Sequence, residues 1–142
     1  LVGKGKDESS LRNFISKNNL NNKIKIVNFV KNPYPILNEA EILVLSSIYE
    51  GLPNVLLEAQ VLKKFIISSD CPTGPREILL NGKGGLLYKV GDFRGLANKI
   101  LYYSRNKKKL SKLINFSHKK LNRFDYDLNL KKYLELVKKF QV

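Results

Sequence analysis

An uncharged apolar segment, residues 42–45, is followed closely by a glycine, a proline and a second apolar pattern. A strand without charges is typical of a parallel sheet that is covered on both faces. Gly51 permits a sharp turn, and Pro53 suits the first position of a helix, where its missing N–H has no cost. The pattern therefore predicts a buried strand, a tight turn and a helix from Asn54 to about Leu62.

Two carboxylates flank this predicted helix start. Glu50 precedes the turn, and Glu58 lies about 7 Å along the helix at ~1.5 Å per residue. The free N–H groups and the dipole at a helix N-terminus attract anions. The arrangement therefore suits an extended ligand with a phosphate in its middle and hydroxyl groups at both ends, such as a nucleotide-sugar.

The neighbours of Glu58 are mostly apolar, and a buried carboxylate without a partner is unfavourable or takes up a proton. Ribose hydroxyls would serve as partners. An ordinary salt bridge with Lys63 or Lys64 would serve equally well, and the spacing alone leaves both alternatives open.

Strand and helix patterns alternate along the first hundred residues. The predicted strands are residues 1–2, 25–29, 42–46, 65–69 and 86–90. The predicted helices are residues 8–18, 33–38, 54–62, 75–80 and 93–104. This alternation predicts an α/β fold with a parallel sheet and helices on both faces. Four loops should meet at the carboxyl edge of the sheet, where ligands bind, at residues 3–6, 28–32, 47–51 and 70–74.

The sequence EGLPNVLLEA, from Glu50 to Ala59, resembles the E-x7-E motif of the retaining glycosyltransferases of family 4, which have the GT-B fold. Five further blocks match the family in the same order, at residues 1–5, 24–30, 40–47, 69–79 and 84–88. The likeness covers about residues 1–104. It implies a Rossmann-like parallel sheet, as in the carboxyl-terminal, donor-binding half of a GT-B enzyme.

On this resemblance, residues 1–142 form one donor-binding domain, with an α/β core to about residue 104 and basic terminal helices in residues 105–142. The amino-terminal acceptor domain is expected to be absent. The chain alone is then expected to hold a nucleotide weakly and to be inactive. The family's Arg and Lys that grip the diphosphate normally precede the segment matching Leu1, so Lys4 or Lys6 would have to replace them.

The resemblance implies transfer of a sugar, with retention, from a UDP-linked donor to a glycan or lipid-linked acceptor of bacterial polysaccharide biosynthesis. This would occur in the cytoplasm or at the inner face of the membrane. Glu50 is the catalytic candidate, contacting the sugar hydroxyls, and Glu58 would bind the ribose. The other donor-binding candidates are Gly3, Lys4, Asn28, Phe29, Gly51, Leu52, Pro53, Asn54, Val55 and Leu56. No metal or cofactor is expected, because helix dipole and basic side chains would balance the departing diphosphate.

Lys63 departs from the family pattern, which usually has a glycine there. A lysine at this helix end is expected to take the left-handed conformation, at a cost of about 1 kcal/mol. The terminal helix is expected to turn its apolar side inward, with Tyr133, Leu134, Leu136, Val137 and Phe140 on that side.

The charge balance leaves other functions open. The net charge is +14, and residues 101–142 carry 12 Lys and Arg against 3 Asp and Glu. Such a surface could attract an anionic membrane or nucleic acid. We expect no nucleic acid, because no nucleic-acid motif is present and the aromatic residues have core spacings. A single cysteine, Cys71, excludes an internal disulfide. The alternatives to the glycosyltransferase are a non-catalytic basic binding module and another GT-B enzyme, such as a sugar epimerase.

Overall fold

The computed structural model describes residues 1–140. The secondary structure in order is α1 (Glu8–Lys17), α2 (Tyr34–Glu39), β1 (Ile42–Leu45), α3 (Asn54–Val61), β2 (Phe65–Ser69), α4 (Pro75–Ile78), β3 (Leu86–Tyr88), α5 (Phe93–Lys119), a 3₁₀ turn (Leu121–Phe124) and α6 (Tyr126–Lys138). The chain divides into two compact units, Leu1–Pro35 and a second that begins at Ile36.

The first unit contains α1 and a single parallel bridge between Val2 and Val27. Val27 N–H donates to Leu1 O at 2.8 Å, and Gly3 N–H donates to Val27 O at 2.9 Å. The sequence predicted two strands here, at residues 1–2 and 25–29, which is wrong in extent although the parallel direction is right. The pairing stops at Gly3, whose φ of +134° departs from extended backbone.

The second unit is built on a parallel three-stranded sheet in the order β1-β2-β3. Ile42 pairs with Phe65 at one end of the first ladder, and Ser69 pairs with Tyr88 at the end of the second. Every residue of the central strand β2 is buried. The prediction that the uncharged strand β1 is buried is wrong: none of its residues is buried, and Val44 is 39% exposed, because β1 is an outer strand of this three-stranded sheet.

Helices cover both faces of this sheet, so the predicted α/β architecture is confirmed. On one face, Ile66 packs with Leu56 of α3. On the other, Phe65 packs with Tyr103 and Leu110 of α5, and the rings of Phe65 and Tyr103 stack with their centroids 4.4 Å apart. Neighbouring residues of β2 therefore serve opposite cores, as strand geometry requires.

Helix α5 consists of two helical segments that meet at a kink. It begins after Asp92, whose carboxylate accepts the Gly95 N–H at 2.8 Å, as expected of a cap. Its first segment ends at the kink at Asn106 (φ −129°, ψ 24°), two residues after the predicted end at Ser104, and a second helical segment continues to Lys119. The Asn106 side-chain amide donates to Tyr102 O at 2.8 Å, which accounts for the local departure from helical backbone.

The prediction that the apolar side of α6 points inward is wrong. No residue of α6 is buried, and Tyr133, Leu134 and Leu136 are exposed, as is Phe140 just beyond the helix. A cavity of about 740 Å³ between α6 and the start of α3 leaves this side accessible. In residues 1–140, no helix combines the length and the apolar character needed to span a membrane.

Candidate functional site

Helix α3 begins at Asn54, one residue after Pro53 (φ −71°, ψ 93°), which is its N-cap. Pro53 is thus just outside the helix and not its first residue, because its extended ψ is incompatible with helical backbone. The Leu56 N–H donates to Pro53 O at 2.9 Å. Within residues 1–140 the Asn54 and Val55 N–H groups have no acceptor. The end of α3 that attracts anions is therefore open.

The candidates at this helix start differ in what they can offer a ligand. Gly51, Leu52 and Asn54 are exposed, whereas Pro53 is buried. Leu56 has no exposed surface and belongs to the core. Its side chain cannot reach a ligand, and its N–H already has an acceptor.

The turn around Gly51 is held against the loop that follows β2. Gly74, in that loop, has φ +77°, and a Cβ atom there would lie 2.6 Å from Gly51 O and would also overlap Pro53. Only glycine fits this contact without a shift, because the backbones approach each other closely. The loops after β1 and β2 therefore meet, as the sequence predicted for residues 47–51 and 70–74.

Glu50 is half-buried and held by two hydroxyl groups. Ser47 Oγ donates to Glu50 Oε1 at 2.6 Å, and Thr73 Oγ1 donates to the main-chain oxygen of Glu50. Ser69 Oγ in turn donates to Ser47 O at 2.6 Å. Ser47 and Thr73 therefore contact the catalytic candidate directly, and Ser69 of β2 holds Ser47.

Sequence reasoning missed these three residues. A usable signal existed for Ser47, because a serine hydroxyl commonly bonds to groups a few residues away. No local pattern indicates Ser69 or Thr73, since their bonds cross 22 and 23 residues.

Glu58 is half-buried on α3, four residues after Asn54 and on the same side of the helix. The Cα–Cβ bond of a helical residue is tilted toward the helix N-terminus, so the Glu58 side chain starts in the direction of the open N–H groups. In the described part of the chain it makes neither a hydrogen bond nor a salt bridge.

The two lysines that could have paired with Glu58 have other roles. Lys64 Nζ donates to Asn38 O at 2.6 Å. Lys63 has the predicted left-handed conformation, with φ +53°. The bonds from Lys63 N to Gln60 O and from Lys64 N to Ala59 O close the helix end as a Schellman motif.

Four candidates lie in the first unit. Gly3 and Lys4 line a cavity of about 330 Å³ within that unit. Asn28 and Phe29 directly follow the Val2–Val27 bridge, and Phe29 is 78% exposed. The Gly3 N–H bond to Val27 O joins the two segments, so these candidates neighbour one another.

Charged and phenolic groups near the loops are mostly satisfied. Asp70 accepts from Arg76, with Nε to Oδ1 at 3.0 Å, and this hydrogen bond raises the pKa of the Arg76 guanidinium. Burial, with a smaller effect from Cys71, raises the pKa of Tyr88, whose hydroxyl donates to Leu45 O at 3.2 Å. No three His, Cys, Asp or Glu side chains within residues 1–140 are placed to hold a metal ion.

The cavity of about 740 Å³ beside α6 is separate from the carboxylates of Glu50 and Glu58. It is lined by Leu52, Asn54 and Leu57 from the α3 region, and by residues of the 3₁₀ turn and α6. Glu50 and Glu58 do not line it.

Comparison with known proteins identifies the family. Residues 1–120 match the family described as glycosyl transferases group 1. The chain belongs to this family. It is 43% identical over 79 residues to an uncharacterized glycosyltransferase of Methanocaldococcus jannaschii, a match covering 56% of this chain and 20% of that protein.

A second relative of this chain comes from Campylobacter jejuni. It is named as an N-acetylgalactosamine-N,N'-diacetylbacillosaminyl-diphospho-undecaprenol 4-alpha-N-acetylgalactosaminyltransferase. The identity is 30% over 100 residues, covering 68% of this chain and 27% of that protein. The matches to these two curated relatives span a fifth to about a quarter of their length.

The fold of this glycosyltransferase chain matches that of solved glycosyltransferase structures. The Anabaena protein HepE, crystallised in complex with UDP, aligns with a TM-score of 0.86 and 20% identity, over 98% of this chain and 40% of HepE. At this identity the likeness shows the fold. The parallel sheet is thus the Rossmann-like sheet of a GT-B half, as the sequence predicted.

Proposed function

We propose that this chain binds a nucleotide-sugar donor, with UDP as the nucleotide, for retaining glycosyl transfer to a glycan or lipid-linked acceptor. The observation that carries the proposal is the open N-terminus of α3, flanked by two half-buried carboxylates. One of these, Glu50, is held in place by neighbouring hydroxyl groups, and the other, Glu58, has no partner in the described residues.

The donor would lie across the start of α3. The Asn54 and Val55 N–H groups would bind the diphosphate, because they have no acceptor and lie at the positive end of the helix dipole. Glu58 would accept hydrogen bonds from the ribose hydroxyls. Glu50 would accept from the sugar hydroxyls, since an ionised carboxylate is an acceptor only.

Stabilisation of the departing diphosphate by helix N–H groups would make a metal ion unnecessary. Within the first unit, Gly3 and Lys4 are the candidates for contacts to the phosphates, and Asn28 and Phe29 are the candidates for contacts to the base. HepE, a protein of similar fold, was crystallised with UDP, which supports the choice of nucleotide. The name of the Campylobacter relative supports a lipid-linked acceptor.

An acceptor of that kind would place the chain at the cytoplasmic face of the membrane, where the exposed lysines of α5 and α6 would face anionic lipid. Flotation with phosphatidylglycerol vesicles, compared with phosphatidylcholine vesicles, tests this location. Equal binding to both, or to neither, would contradict it.

Titration calorimetry with UDP, GDP and ADP tests the donor site. We expect UDP to bind most tightly, and saturation at about 100 times the dissociation constant to stabilise the chain by about 2.7 kcal/mol. The variant Glu58→Gln should weaken UDP binding by roughly 10-fold, because it removes a charged acceptor for the ribose hydroxyls.

Glu135→Gln, an exposed change of the same type on α6, is the matched control and should bind like the unaltered chain. Absence of UDP binding, or equal affinity in Glu58→Gln, would contradict the proposal. Strong, salt-dependent binding to duplex DNA in place of UDP would favour a basic binding module. Retention is tested by the anomeric configuration of the product made by the full-length protein.

A further inference from the structure

The Glu50 carboxylate is held through one oxygen and free at the other. Ser47 Oγ donates to Oε1 at 2.6 Å, which is the distance of a charge-assisted O–H···O⁻ bond. In residues 1–140 no donor reaches Oε2. The carboxylate can therefore accept from a ligand through Oε2 while Ser47 fixes its rotation.

Ser47 is itself fixed by the sheet. Its main-chain oxygen accepts from Ser69 Oγ at 2.6 Å, and Ser69 is the last residue of β2, with 1% of its surface exposed. The bond joins the loop after β1 to the buried central strand. Ser47 thus links the Glu50 side chain to the sheet through two hydrogen bonds.

The Glu50 main chain is fixed separately by Thr73. Its hydroxyl lies within hydrogen-bond distance of both Glu50 O and Pro72 O, and its φ of +60° is unfavourable for a β-branched residue. Backbone strain of this kind is concentrated at functional sites and persists only where its surroundings enforce it. Gly74, the next residue, packs against the Gly51 turn, and this contact holds the Thr73 backbone in its strained conformation.

We infer that Ser47 is a positioning residue, which orients the Glu50 carboxylate so that Oε2 accepts a hydrogen bond from the sugar of the donor. The inference rests on the proposed function and adds a residue that acts through Glu50. A carboxylate held in one orientation loses less side-chain entropy when the sugar binds, and this favours binding and transfer.

The test compares UDP with UDP-linked sugars in the Ser47→Ala variant. The probes are UDP, UDP-glucose, UDP-galactose, UDP-N-acetylglucosamine and UDP-N-acetylgalactosamine, titrated by calorimetry. The relevant probe is the UDP-sugar that the unaltered chain binds more tightly than UDP. Ser47→Ala should bind this UDP-sugar roughly 10-fold more weakly, which is the size expected for a hydrogen bond to a charged group. Its affinity for UDP should be unchanged, because UDP lacks the transferred sugar that would contact Glu50.

Two further variants separate positioning from folding. Ser47→Thr keeps the hydroxyl and should restore the affinity for the UDP-sugar. Ser46→Ala removes the neighbouring, exposed hydroxyl and should bind every probe like the unaltered chain. If Ser47→Ala loses the same affinity for UDP as for the UDP-sugar, or loses neither, then Ser47 does not position Glu50 for the sugar. Either result would leave the proposed donor site intact. If the unaltered chain binds UDP no better than GDP or ADP, or prefers no UDP-sugar to UDP, the proposed function fails and the assignment fails with it.

Discussion

A Cβ atom on Gly74 would lie 2.6 Å from the main-chain oxygen of Gly51. The contact joins the loop after β2 to the turn that carries Glu50. Replacing a glycine by alanine can be compared at two positions of similar φ, Gly74 and Gly91.

Gly74→Ala should lower the free energy of unfolding by about 2–4 kcal/mol, because it combines a left-handed conformation with overpacking. Gly91 has nearly the same φ, +76°, but no heavy atom within 4 Å of its Cβ position. Gly91→Ala should therefore cost only about 1–2 kcal/mol. Urea denaturation measures both, and equal losses would mean that the close contacts with Gly51 and Pro53 contribute nothing.

Lys63→Gly should stabilise the chain by about 1 kcal/mol. Lys63 closes α3 with φ +53°, a conformation that glycine adopts without strain. The same substitution at Lys109, which is exposed inside α5, should instead destabilise by about 1 kcal/mol, because glycine weakens a helix interior. The melting temperature should rise in Lys63→Gly and fall in Lys109→Gly. A loss of stability in Lys63→Gly would show that the backbone strain at Lys63 is absent.

Asp92→Ala should lower the free energy of unfolding by about 1 kcal/mol, since the Asp92 carboxylate accepts the Gly95 N–H at 2.8 Å. Asp7 is also the N-cap of a helix, but its side chain makes no capping hydrogen bond. Asp7→Ala should therefore have a smaller effect, limited to the helix dipole. If the two variants lose equal stability in urea, the capping bond is not the source of the effect.

Alkaline pH should destabilise the chain through Tyr103. Burial raises its pKa above the ordinary value of 10.0, so the neutral phenol is favoured in the folded state. This contribution is fully present below about pH 10 and is lost as the pH rises through the higher folded pKa.

Tyr103→Phe keeps a ring to stack on Phe65 and removes the ionisable group. The fall of the urea midpoint above about pH 10 should be shallower in this variant than in the unaltered chain. Parallel curves for the two proteins would contradict the assigned pKa direction.

The elements that the sequence predicted well depend on local chemistry. The turn at Gly51, the helix from Asn54 and the existence of strand β1, though not its predicted burial, follow from backbone preference within twenty residues. The Asp92 cap and the left-handed Lys63 are equally local. The predictions of strand length near Val2 and Val27 were poorer, because pairing extent depends on where the backbone turns.

The exposed face of α6 shows a different limit. A row of apolar residues identifies the side of a helix that is suited to burial. It does not indicate which part of the protein, if any, packs against that side. The separation of Leu130 and Tyr133 from Leu57 by a cavity is a property of how the 3₁₀ turn directs the chain.

The sequence by itself determined the class of fold, the family motif and the position of two carboxylates around one helix start, since these follow from residue order and short-range preferences. The tertiary structure decided that Ser47, Ser69 and Thr73 hold Glu50, that Lys64 bonds to Asn38, and that Glu58 has no partner within residues 1–140. Most of these partners are more than 20 residues apart along the chain, so packing, and not local pattern, brings them together.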